Sequence, residues 1–72
     1  MSDDTVWFVI NPETASHEAF WERRDAEERA VELAKIMSVD GDVHIRSMNE
    51  RFPVTYVTYG SGCVTAQQFE VQ

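Results

Sequence analysis

A single cysteine, Cys63, leaves this chain without the means to build an internal disulfide framework. Lysine is almost as scarce: Lys35 stands alone beside five arginines, and thirteen acidic residues bring the net charge to −7. A surface so poor in cations does not grip a nucleic-acid backbone, which needs clustered Lys and Arg against its phosphates. No apolar run approaches the roughly eighteen residues that a membrane-spanning helix requires. The first residues, Met1-Ser2-Asp3-Asp4, are acidic where a secretory signal is basic. The expectation is a soluble, cytoplasmic protein without membrane or direct nucleic-acid contacts. Two prolines and three glycines leave few breaks in 72 residues, so residues 1–72 read as one small domain with a modest core.

The strongest pattern that is present runs from Asp25 to Met37. Ala26, Ala30, Leu33, Ala34 and Met37 line one stripe at helical spacing. Asp25 is placed to cap the first turn and Glu28 to complete a capping box, while Lys35 sits near the negative end of the dipole. Gly41 follows as the turn residue that closes the segment. Thr5-Val6-Trp7-Phe8-Val9-Ile10 is a β-branched and aromatic run without polar alternation, as in a central strand covered on both faces, and Asn11-Pro12 ends it. Residues 16–24 read either as a backward extension of the helix or as a second strand. The strand is preferred, because a helix there puts Trp21 opposite the apolar stripe. Val43–Met48 alternates as a half-buried strand, and Asn49-Glu50-Arg51 is a polar turn. After Phe52-Pro53, Val54–Tyr59 and Cys63–Val71 form two further strands about the Gly60-Ser61-Gly62 turn. The predicted class is α+β: an antiparallel sheet with one helix packed on one face, in the order β-β-α-β-β-β.

Charge is unevenly spread along this order. Residues 13–32 contain Glu13, Glu18, Glu22, Asp25, Glu27, Glu28 and Glu32, whereas Glu70 is the only charged residue from Phe52 onward. The plainer reading of the acidic part is a solvated helix face with local ion pairs, and an acidic, lysine-poor proteome produces the same balance. The functional reading is a stripe of Glu22, Asp25, Glu27, Glu28 and Glu32 that docks on a protein partner with a basic surface. The uncharged hairpin from Phe52 suggests an edge open to pairing and a possible homodimer, with Tyr56 and Tyr59 as anchors on opposite strand faces.

Residues for catalysis are few. Cys63, His17 and His44 share no nucleophile–base motif, and no close ligand pair marks a zinc site, so neither an enzyme nor a cofactor is expected. Gly60-Ser61-Gly62 lacks the lysine and the following helix of a phosphate loop.

Val6–Ile10, the helix from Asp25 to Met37, Gly41–Arg46 and the uncharged final hairpin together resemble two groups of small proteins. One group comprises short phage and bacterial domains with an aromatic first strand and an Ala/Glu/Arg-rich helix. The other comprises small phage-encoded anti-CRISPR inhibitors built from a helix and an antiparallel sheet. The resemblance implies a non-catalytic inhibitor that blocks a cationic, nucleic-acid-binding surface on a defence complex. The alternative is a small assembly subunit that self-associates through its C-terminal hairpin.

Overall fold

A computed structural model describes residues 5–48, 53–60 and 62–70. The expected tail at residues 1–4, the turn at 49–51, Phe52, Ser61 and the last two residues lie outside them. The chain folds as β1 (Thr5–Asn11), β2 (Ser16–Phe20), α1 (Arg23–Met37), β3 (His44–Met48), β4 (Val54–Tyr59) and β5 (Gly62–Glu70). All pairings are antiparallel, and the five strands lie in the order β2-β1-β5-β4-β3 with α1 across one face. This is the predicted α+β class.

The register divides every strand between two faces. The helix-covered face holds Trp7 and Val9 of β1, Val64 and Ala66 of β5, and Thr55, Val57 and Tyr59 of β4, all of them buried. Ala26, Ala30 and Ala34, fully buried at i, i+4 and i+8, form the seam of α1 against it. Small residues at these positions let the helix axis approach the sheet closely. Around this seam the core is small: Trp7 and Tyr59 are its largest buried side chains, and Val9, Val57 and Val64 are fully buried beside them.

Two side-chain links pin the flanks of the helix. Toward β2, Arg29 Nε donates to both Glu18 carboxylate oxygens at 3.1 Å. Toward β4, the hydroxyl of fully buried Thr55 donates to Glu27 Oε2 at 2.5 Å, and Ser47 Oγ lies 3.3 Å from the same hydroxyl. Glu27 also accepts from Arg23 Nε at 3.2 Å, and the Arg23 guanidinium stands 5.3 Å from the centroid of the Trp7 ring. These links satisfy a buried hydroxyl and set the helix direction; the half-exposed ion pairs themselves add only about 0–1 kcal/mol each.

The turns follow from local chemistry. Between β1 and β2, Asn11 Oδ1 accepts from the Glu13 amide at 3.0 Å, and Ala15 takes a left-handed φ of 56°. Between α1 and β3, Asp40 Oδ1 accepts from the Asp42 amide and lies 3.0 Å from Ser38 Oγ, with Gly41 at φ 79° between them. Those donors hold the Asp40 carboxyl below its ordinary range, the Asp42 amide most of all. A β-carbon at Gly62 would stand 2.8 Å from the Tyr59 phenolic oxygen and 2.9 Å from its ring carbon Cζ, so a larger residue there requires the buried Tyr59 side chain to shift.

Three expectations need correction. The helix begins at Arg23, not after Asp25; Glu22 is the N-cap residue with no side-chain cap, and its carbonyl accepts from the Ala26 amide at 3.2 Å. Asp25 therefore lies in the first turn, where its charge still suits the dipole. The helix ends at Ser38, whose amide donates to the Ala34 carbonyl, three residues before Gly41. The C-terminal hairpin is not an edge: β5 is the central strand, flanked by β1 and β4, and the edges are β2 and β3. A homodimer formed by edge pairing of that hairpin is therefore excluded.

Candidate binding surface

The predicted site residues separate into three environments. Glu22 and Asp25 are exposed at the start of α1, and neither makes an ion pair among the described residues. Glu28 and Glu32 are exposed but matched by the helix itself, Glu28 to Arg24 at 3.7 Å and Glu32 to Arg29. Glu27 is half-buried and committed to Arg23 and Thr55. Residues 22–37 contain these five acids and four bases, Arg23, Arg24, Arg29 and Lys35, a net of −1. The continuous acidic stripe expected from sequence is thus broken by its own arginines. Arg29, bonded to Glu18 and beside Glu32, is held more firmly protonated than usual.

The two tyrosines point to opposite faces, as strand alternation requires. Tyr59 is buried under the helix, and its hydroxyl donates to Glu13 Oε1 at 3.4 Å. Burial, followed by the charge of Glu13, raises its pKa above the ordinary value. Tyr59 is therefore a core residue and no anchor. Because the folded state holds the phenolic proton longer than the unfolded one, this group leaves stability unchanged below pH about 10 and lowers it as the pH rises further. Urea midpoints measured from pH 9 to 11 should fall above pH 10, and Tyr59→Phe should flatten that fall. A fall of equal slope in the variant would contradict the assignment.

Tyr56 belongs to the other face of the sheet, which no element of the described chain covers. Its side chains form cross-strand rows. One row contains His17, Ile10, Thr65, Tyr56 and Arg46, running from β2 to β3. The next contains Ala19, Phe8, Gln67, Val54 and Met48, with Val6 and Phe69 paired beyond it and Cys63, Thr58 and His44 on the opposite flank. Phe8 and Phe69 meet edge to face with centroids 5.5 Å apart. With Ile10 and His17 they line a shallow depression of about 240 Å³. Phe69 is 40% exposed, and Val6, Phe8, Ile10 and Tyr56 are half-buried.

This face differs from the rest of the molecule in charge. Among the described residues it bears no carboxylate, although the whole chain has thirteen acids; its charged side chain is Arg46, on the edge strand β3. The described acids instead sit on α1, on the helix-side face or in the connecting turns. The sequence signal was the missing alternation in β1: Trp7 and Val9 fill the helix side, while Val6, Phe8 and Ile10 make an apolar stripe behind it.

Cys63 and His44 do share this face, but Thr58 of the intervening strand stands between them. Two strand spacings, about 9–10 Å, separate their backbones, too far for a thiol–imidazole hydrogen bond. Among the described residues no group of three or more His, Cys, Asp or Glu side chains is placed to hold a metal ion. No helix among them is long and apolar enough to cross a membrane. Comparison of the chain with family models, with curated proteins and with solved structures returns no match.

Proposed function

We propose that this chain is a non-catalytic protein-binding module of the cytoplasm that docks through the uncovered face of its sheet. The observation that supports this reading is the aromatic, carboxylate-free surface of Val6, Phe8, Ile10, Tyr56 and Phe69 on a protein of net charge −7. Protein interfaces concentrate aromatic side chains and exclude acids from their centres, and contiguous exposed apolar patches mark such sites.

A second reading rests on Glu22 and Asp25, exposed at the helix start without ion-pair partners among the described residues. With Glu28 and Glu32 they would meet a basic groove on a nucleic-acid-handling complex, the surface an acidic member of the resembled phage-encoded inhibitors would block. The two readings respond oppositely to substitution and salt. Immobilised chain is offered host lysate and an untagged copy of itself, at low and high salt. The sheet-face reading predicts that Phe69→Glu reduces capture at least about tenfold, equivalent to about 1.4 kcal/mol. It also predicts that Glu28→Lys with Glu32→Lys leaves capture intact at either salt. Capture lost in the helix variant and at high salt, but kept in Phe69→Glu, overturns the sheet-face reading in favour of the acidic one.

A further inference from the structure

The occupant of the uncovered face can be specified further; this step rests on the sheet-face reading above. We infer that the face is covered by a second copy of this chain, giving a two-fold dimer in which the two sheets pack face to face between two outer helices.

Layer architecture is the first ground. A sheet that is apolar on both faces is stable when both faces are covered, and α1 covers one. The covered side buries Trp7 and Tyr59 among alanines and valines, and the bare side carries a second apolar set, the aromatic pair Phe8–Phe69 with Ile10 and Tyr56. Phe8, Ile10, Tyr56 and Phe69 are not members of the core cluster formed under the helix.

Charge is the second. Two copies of net charge −7 repel one another, and any contact through α1 or the turns brings carboxylates together. The bare face is the surface on which two copies meet without burying a carboxylate of the described residues. Arg46, on edge strand β3, falls at the rim, where a long cationic side chain stays hydrated. The same arithmetic disfavours a nucleic acid on this face, because a single arginine neutralises too few phosphates.

Area is the third. Five strands about 4.8 Å apart, rising about 3.3 Å per residue, make a face of about 20 × 20 Å before side-chain relief is counted. Two such corrugated faces bury about 1,000 Å² or slightly more, the lower bound for a specific interface, at an aligned packing angle near −30°. Exposed Phe69 and the shallow depression it lines with Phe8, Ile10 and His17 lie on one patch, and a two-fold interface brings the same patch of both copies together. Area alone does not set the affinity, so the test spans a wide concentration range.

Sedimentation equilibrium of the full chain from about 1 to 500 μM tests this. The expected result is a shift from the 8.3 kDa chain to twice that mass, strengthened by added salt because screening relieves the mutual repulsion. Phe69→Glu should raise the dissociation constant at least tenfold, as should Thr58→Glu, an exposed position of the same face that cannot disturb the core. Ile36→Glu, 71% exposed on the helix, should leave it unchanged. Circular dichroism of each variant verifies folding. A wild-type chain that stays monomeric throughout overturns the dimer. If Phe69→Glu nevertheless abolishes capture of a different protein, the sheet-face reading survives without it. A dimer unaffected by both face variants overturns the dimer at this face and, if capture is equally unaffected, the sheet-face reading as well.

Discussion

Trp7→Ala should lower the thermal midpoint by at least about 12 °C and leave much of the population unfolded at physiological temperature. Trp7 is 3% exposed, with the Arg23 guanidinium 5.3 Å from its ring centroid and Phe20 opposite it in register on β2. Truncating a buried tryptophan costs about 3–5 kcal/mol. A 72-residue domain has about 4–11 kcal/mol in total. Each kcal/mol corresponds to about 4–8 °C in a domain of this size, which sets the expected drop. Apart from Tyr59 the buried core around Trp7 is made of valines and alanines, which have little reach to close the resulting cavity. Far-ultraviolet circular dichroism on heating measures the effect, and a drop under about 5 °C would mean that Trp7 is not seated under the helix.

The second large effect comes from adding volume. Ala30→Leu should cost about 1–3 kcal/mol in urea unfolding, because Ala30 is fully buried at the middle of the helix–sheet seam. Leucine and alanine differ little in intrinsic helix propensity, so a loss of that size reports layer spacing and not helix formation. Lys35→Leu, on the solvent side of the same helix, is the control and should change stability by under about 0.5 kcal/mol. Equal effects at the two positions would contradict close approach of α1 to the sheet. The helix cannot move outward freely, because Glu18–Arg29 and Glu27–Thr55 hold its two flanks.

Local patterns in the sequence were sufficient for the elements and for the architecture class. Val54–Tyr59 is a strand as read, and of residues 16–24, read as a strand, Ser16–Phe20 form one while Arg23 and Arg24 open the helix. The helix start was misplaced because Asp25 and Glu28 make a good capping box in isolation. In the folded chain β2 ends at Phe20, and two residues suffice for the turn into α1. Strand order was not legible, since no local feature says that β1 pairs with β5. The uncharged C-terminal hairpin was misread for a physical reason: β5 lacks charge through Ala66 because it is the central strand, not because it is an open edge. Helical spacing offers the ion pairs Asp25–Arg29, Arg24–Glu28 and Glu32–Lys35; Arg24–Glu28 forms, whereas Arg29 joins Glu18 of β2 and Glu32, contacts that depend on where β2 lies. The uncovered face was half visible: β1 announced apolar side chains on both sides, but only the sheet order brings Phe8, Phe69 and Tyr56 onto one surface.

A concentration series of ¹⁵N and methyl NMR spectra tests most directly whether two copies of the chain meet through the bare side of the sheet. The account predicts shifts and broadening at Val6, Phe8, Ile10, Tyr56, Thr65 and Phe69, with Asp25, Glu28, Glu32 and Lys35 unmoved. Changes confined to the helix residues, or spectra identical from micromolar to millimolar concentration, would contradict it.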